Sequence, residues 1–197
     1  MIKNNLLFIV LLCSFLLNCG GGGGKYFPPQ IAINKIGLQK EEIKSSNKAF
    51  EHKILLELDL NSEFPEYFDF AFKDKTYRLR FNNKNFVSIV DSNNKFIKKI
   101  EIPRYPINAG ALELIDQNNK SYLAVYVDQQ PTSHSSTLFI LNDNMEVLYK
   151  EHLLGALWMA RQNTGKGHNL ILSAETKWIP KNKWISVGGP WRYMFAN

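Results

Sequence analysis

Cysteine is nearly absent from this chain, with only Cys13 and Cys19 among 197 residues. That excludes a disulfide-stapled mini-protein and a cysteine-rich metal domain. Long apolar runs are also missing beyond the N-terminus. The one that exists, Leu6 to Leu17 broken only by Ser14, would make a helix of roughly 18 Å, short of the ~30 Å hydrocarbon slab of a bilayer. Histidine occurs four times, as His52, His134, His152 and His168. None has a partner at the i, i+2 or i, i+4 spacing of a metal site, so surface positions are expected for them and no metal is assigned.

What is present is enough for one domain with a real core. Hydrophobic residues make up 45% of the chain and charged residues 21%, too apolar a mixture for a disordered tail. The 24 Lys and Arg against 18 Asp and Glu give a formal charge of +6. Along the sequence the excess is interspersed with acidic residues rather than gathered into a block. It suits anionic lipid head groups or surface polysaccharide better than nucleic acid, given the export signal that follows.

Met1 to Asn5 carry a single cation, Lys3, ahead of the apolar run, the order of a signal-peptide n-region and h-region. Leu16-Leu17-Asn18-Cys19-Gly20 then resembles the lipobox of bacterial lipoproteins, whose cysteine is diacylated on sulfur and becomes the new N-terminus. Asn18 departs from the commoner Gly, Ala or Ser. The resemblance implies that residues 1–18 are removed, that Cys19 is the lipidation site, and that the formal charge falls from +6 to +5 with Lys3. Gly20 to Gly24 form a flexible spacer of about 12 Å root-mean-square length, so 19–25 reads as an anchor and tether. Several acyl chains at ~0.8 kcal/mol per buried methylene hold a protein at a membrane durably. Gly20 after the cysteine resembles the outer-membrane sorting pattern of enteric bacteria.

Residues 26–52 are polar and poorly periodic, and the stretch around Gln39 to His52 is open to either a short helix or a loop. From Lys53 to Asn197 the chain alternates runs rich in Ile, Val, Leu, Phe and Tyr with clusters of Asn, Asp, Lys and Gly. This is the pattern of strands and hairpins. Strands are expected near 53–60, 66–73, 76–82, 86–91, 95–102, 111–116, 121–128, 137–142, 145–153, 156–161, 169–175 and 183–187, giving an all-β fold. Asp91-Ser92-Asn93-Asn94, Asp116-Gln117-Asn118-Asn119 and Asn142-Asp143-Asn144 fit hairpin tips, because Asn and Asp tolerate left-handed backbone. Their Asp-x-Asn spacing also opens a calcium loop, but the glycine and closing Glu of such a loop are missing.

Sliding the chain on itself by 51 residues lays Val90–Ile97 over Leu141–Leu148, strand on strand and turn on turn. A shift of 45 lays Gly110-Ala111-Leu112 over Gly155-Ala156-Leu157, each read as the start of a strand. Units of ~45–50 residues with four antiparallel strands resemble the blades of quinoprotein-like and WD40-like β-propellers. The units are expected at about 66–102, 111–153 and from 156 onward. Tyr122 to Val127 and Leu138 to Leu141 are apolar on both faces, as for a sheet pressed between two others. The roughly 145 positions from 53 to 197 hold about three blades, fewer than the four to eight of a closed ring. The fold is therefore expected to be propeller-like but incomplete, or an open meander; assembly of several chains into one ring and a shortened form of a longer propeller are further options.

Few groupings point to chemistry. Ser133-His134-Ser135-Ser136 puts hydroxyls beside an imidazole, but a triad is defined by spatial geometry. Thr164-Gly165-Lys166-Gly167-His168 lacks the full phosphate-loop pattern and reads as a basic turn. Glu41-Glu42 and Glu63 with Glu66 lie in polar stretches where solvated charge is the norm. Trp158, Trp178, Trp184 and Trp191 are read as filling sheet interfaces in preference to stacking on sugars. No catalytic, cofactor or metal residue is assigned. The sequence thus points to a lipid-anchored envelope protein, bound to the membrane through Cys19, whose β-domain is a non-enzymatic module for an envelope protein or polysaccharide. The alternative is an envelope enzyme, or a remnant of a larger propeller of hydrolase or dehydrogenase type.

Overall fold

The computed structural model of the protein describes residues 30–44, 67–81, 85–129, 135–178 and 183–196, with side chains described to Glu175 and again from Val187. The expected strand at 53–60 and the signal peptide and tether lie outside the described residues. Every regular element among the described residues is a strand and none is a helix. In chain order they are β1 (Gln30–Asn34), β2 (Gln39–Glu42), β3 (Tyr67–Phe72), β4 (Lys75–Phe81), β5 (Phe86–Asp91), β6 (Phe96–Glu101), β7 (Pro106–Ile115), β8 (Ser121–Gln129), β9 (Ser135–Leu141), β10 (Val147–Leu154), β11 (Ala156–Asn163), β12 (His168–Trp178) and β13 (Lys183–Met194).

They form three antiparallel sheets. The first is the meander β3-β4-β5-β6, the second runs β1-β10-β9-β8-β7, and the third runs β11-β12-β13-β2. The unit boundaries at 66–102, 111–153 and 156 therefore fall where one sheet gives way to the next, and the fold is an open, propeller-like array of sheets. No closed ring forms from the three.

The second sheet lies in the middle. Leu123, Val125, Val127, Phe139 and Leu141 pack with Phe70, Phe72, Leu79, Val87, Ile89 and Ile100 of the first sheet. The alternate residues Tyr122, Ala124, Leu138, Ile140 and Tyr149 pack with Leu157, Leu170, Leu172 and Tyr193 of the third. Because successive side chains on a strand point to opposite faces, a sheet covered on both sides must be apolar at every position. The runs of β8 and β9 are apolar for that reason.

The three Asn/Asp turns share one bonding scheme. Asp91 Oδ1 accepts the N–H groups of Asn93 and Lys95, each at 2.9 Å. Asp116 Oδ1 accepts those of Asn118 and Lys120, and Asn142 Oδ1 those of Asn144 and Glu146. The fourth residue of each turn, Asn94, Asn119 or Met145, has φ of 62°, 61° or 60°, the left-handed region that Asn enters readily. The turns at 91 and 142 join the third and fourth strands of adjacent sheets, which is the repeat seen at an offset of 51.

Two expectations are corrected. Gly110 does not open a strand: β7 begins at Pro106, and Gly110 sits inside it, where an added Cβ would come within 2.5 Å of the Tyr126 ring. Gly155 does stand at a strand entry, with φ of +87° and the Glu175 carbonyl oxygen 2.6 Å from where its Cβ would be. The two glycines are not equivalent. Likewise the stretch from Gln39, read as a short helix or a loop, is strand over Gln39–Glu42: β2 completes the third sheet at β13, and β1 before it extends the middle sheet at β10.

Candidate functional site

Two buried polar clusters lie between the middle and third sheets. The first gathers at the point where the chain leaves one sheet for the other. Asp128 on β8 faces Ser136 on β9, with Oδ1 2.5 Å from Ser136 Oγ. The same oxygen accepts the Leu157 N–H at 3.1 Å, and Asn108 Nδ2 reaches Oδ2 at 3.3 Å. Ser136 Oγ also contacts the Gly155 carbonyl. With Asp128 only 2% exposed, burial pushes its carboxyl up to about 7, although the bonds from Ser136, Leu157 and Asn108 pull it down.

The second cluster is centred on Glu151 of β10, 1% exposed. Its Oε1 accepts Lys40 Nζ at 2.6 Å, and its Oε2 accepts the hydroxyls of Tyr149 at 3.0 Å and Tyr193 at 2.7 Å. Lys40 in turn lies 4.0 Å from the centroid of the Trp191 ring. Burial, then the charge of Glu151, raises both tyrosine hydroxyls well above their usual range. One carboxylate thus fastens β2, β10 and β13 together. A charge can stay buried in this way when it is paired and its remaining lone pairs are bonded.

These groups escape a reading by motif because they lie far apart in sequence. A signal exists all the same: Glu151 shares a face with the apolar Tyr149 and Leu153, and Asp128 directly ends the apolar run of β8. Each is a carboxylate placed on a stripe that must be buried.

The residues singled out by sequence do not converge. Cys19, His52, His134 with Ser133, and Glu63 with Glu66 lie outside the described residues. Ser135 begins β9, while Ser136 belongs to the Asp128 cluster. His152 Nδ1 is 3.0 Å from Thr137 Oγ1, and burial followed by the charge of Lys150 lowers its affinity for a proton. His168 Nδ1 accepts the Ile115 N–H at 2.9 Å, so the 164–168 turn serves to pin β12 against β7. Glu41 pairs with Arg192 at 2.6 Å. Among the described residues no three His, Cys, Asp or Glu side chains come together as a metal site. Trp191 packs against the core between the middle and third sheets as expected, but Trp158 is 43% exposed, which corrects its placement in an interface. Trp178 and Trp184 sit on β12 and β13.

The surface feature with the strongest chemical character is the outer face of the first sheet. Cross-strand register aligns Tyr67, Arg80, Ser88 and Lys99 in one row and Asp69, Arg78, Val90 and Phe96 in the next. Arg78 makes two bonds to Asp69, at 2.6 and 2.9 Å, which hold that carboxyl below its usual range. The Arg78 guanidinium also stacks 4.0 Å from the Tyr67 ring centroid. Arg80 bonds the neutral amide of Asn94 at 3.0 Å, and Lys99 lies 4.8 Å from the Phe86 ring centroid. Phe96 is 60% and Tyr67 47% exposed.

By register the charged residues of this face are Asp69, Arg78, Arg80, Lys99 and Glu101, and Lys99 pairs with Glu101 at 3.0 Å. Residues 67–104 hold nine Lys and Arg against four Asp and Glu, a net +5 of the chain's +6.

No protein-family model, no curated protein and no solved structure matches the chain.

Proposed function

We propose that the protein is a lipid-anchored lipoprotein of the bacterial envelope, sorted to the outer membrane, whose propeller-like domain is a non-enzymatic binding module. The observation that carries the binding role is the outer face of the first sheet. It presents cations and aromatic rings from four paired strands, held by cross-strand contacts before any partner arrives, which lowers the ordering cost of binding. The anchor rests on the lipobox-like Leu16-Leu17-Asn18-Cys19-Gly20. Cys19 stands eleven positions before Gln30, where β1 begins.

The architecture suits a tethered module. Gln30 pairs with His152, at the end of β10 remote from the 142–146 turn. Lys73 and Asp143 link the β3–β4 and β9–β10 turns, and Gly167 packs on Ile115 and Asp116 at the β7–β8 turn. The chain at Gln30 is therefore at the end of the strands opposite to the turns at 73–74, 116–120, 142–146 and 164–167. Asp128 and Glu151 are enclosed and bonded within the fold.

The anchor is tested by incorporation of a clickable palmitate analogue followed by membrane fractionation. Wild type is expected to carry label and to enter the detergent phase; Cys19→Ala is expected to lose both properties. Equal membrane retention of the Cys19→Ala protein sinks the lipoprotein reading.

A further inference from the structure

The chain passes between the middle and third sheets twice. At one strand end the turn after β1 does so, closed by two bonds between Asn34 and Leu38. At the opposite end β10 gives way to β11 through the single residue Gly155. Gly155 has φ of +87°, and a Cβ there would meet the Glu175 carbonyl oxygen at 2.6 Å and the Val187 side chain at 2.7 Å, so this joint has one tight path. Two side chains of the middle sheet hold it. Ser136 Oγ contacts the Gly155 carbonyl, and Asp128 Oδ1 accepts the Leu157 N–H at 3.1 Å. Asp128 and Ser136 are themselves bonded across β8 and β9. Leu153 and Leu157, which flank the joint, belong to the core between the two sheets.

The carboxyl at the centre of this network is enclosed without a counter-ion. Asp128 is 2% exposed, and among the described residues its bonds come from Ser136, Leu157 and Asn108, all uncharged donors. Tyr126 of β8 is the titratable side chain that faces it, and its hydroxyl is raised by burial and then by the charge of Asp128. On the adjoining elements, Glu151 of β10 is committed to Lys40 and His152 to Thr137, while Glu175 of β12 pairs in register with Ala156. A buried charge with no opposite charge beside it is costly, and that cost is relieved when water reaches it. Burial therefore outweighs the three bonds and pushes the carboxyl up to about 7.

We infer that Asp128, Ser136 and Gly155 form a proton-operated latch between the middle and third sheets, closed while Asp128 is neutral and released by its ionisation. On release the β10–β11 joint lifts and admits water to the carboxylate. The two sheets stay joined by the Asn34–Leu38 turn and by the Lys40–Glu151 pair. The opening is thus local to the joint and is reached well before the whole fold is lost. It depends neither on the lipid anchor nor on the binding face of the first sheet.

The test is amide hydrogen exchange of the full-length chain in detergent micelles, read by mass spectrometry on peptides covering β11 and β5 and corrected for the intrinsic effect of pH. From about pH 5 to about pH 8 the protection of wild-type β11 is expected to fall by roughly tenfold or more. The fall is expected to level off above about pH 7, the sign required of a carboxyl that binds its proton more tightly in the closed state. At the upper pH β11 is expected to exchange roughly tenfold or more faster than β5, whose Val87 and Ile89 lie in the other core. Asp128→Asn is expected to abolish the fall. Ser136→Ala keeps the carboxyl and removes a donor that favours its ionised form, so it is expected to move the levelling-off to higher pH. A purely structural loss lowers protection at every pH without that shift, and Ser136→Ala carries the test alone if Asp128→Asn does not fold. The inference is overturned if wild-type β11 protection is flat with pH, if β11 and β5 exchange alike at the upper pH, if folded Asp128→Asn keeps the fall, or if Ser136→Ala levels off where wild type does.

Discussion

Asp128 and Ser136 stand opposite one another on β8 and β9 with 2.5 Å between carboxyl and hydroxyl oxygens, and Ser136 at the same time contacts the Gly155 carbonyl. A serine hydroxyl has one proton for these two acceptors. The donors Ser136, Leu157 and Asn108 favour the ionised carboxylate of Asp128, whereas burial favours the protonated form and is the larger effect, so the carboxyl is pushed up to about 7.

The pH dependence follows with a definite sign. A carboxyl whose folded value lies above its unfolded value, here about 7 against a reference of 3.8, binds its proton more tightly in the folded state. Its stabilising contribution is complete below about pH 4, declines as pH rises, and is gone above about pH 7. Urea denaturation is expected to give a wild-type protein less stable at pH 8 than at pH 5 by about 2–4 kcal/mol from this group. Asp128→Asn, neutral at both values, is expected to flatten that difference. A slope unchanged in Asp128→Asn would assign the effect to other groups.

Removal of the Glu151 carboxylate should be among the most damaging single changes. Glu151→Ala leaves the Lys40 amine and two tyrosine hydroxyls without their shared acceptor, and breaking a buried pair from one side typically costs about 3–5 kcal/mol. Tyr193→Phe, which deletes one hydroxyl and leaves the pair intact, is expected to cost only about 1 kcal/mol. Chemical denaturation of the two variants tests the ratio; equal losses would contradict a charge-centred clasp.

The turn at 91–95 offers a test of local chemistry. Asp91→Ala deletes the acceptor for two backbone N–H groups and is expected to cost about 1 kcal/mol. Asp91→Asn should retain most of that, because Asn142 makes the same two bonds in the equivalent turn. Thermal melts of both variants distinguish side-chain capping from a mere effect of charge.

Much of the fold was legible because its signals are local. β5 is bounded by residues 86 and 91 in pattern and structure alike, since Asp91 opens a turn whose closing bonds lie within five residues. β1 and β2 were hidden for the opposite reason. They are short, polar and largely exposed, and they hold their places by backbone pairing to β10 and β13 rather than by an apolar stripe. The start of β7 was placed late because Asn108, Ala109 and Gly110 have little strand propensity of their own. Packing on Tyr126 and bonding to Asp128 make them strand.

The sequence by itself determined the all-β class, the positions of the sheet boundaries and the shared chemistry of three turns, because periodicity and Asn/Asp turn bonding act over a few residues. The tertiary structure alone decided which sheet lies in the middle and that Asp128 and Glu151 are buried. Those outcomes depend on partners such as Lys40 with Glu151 and Glu41 with Arg192, separated by 111 and 151 positions. Such contacts form only when the sheets close on one another, and no local preference encodes them.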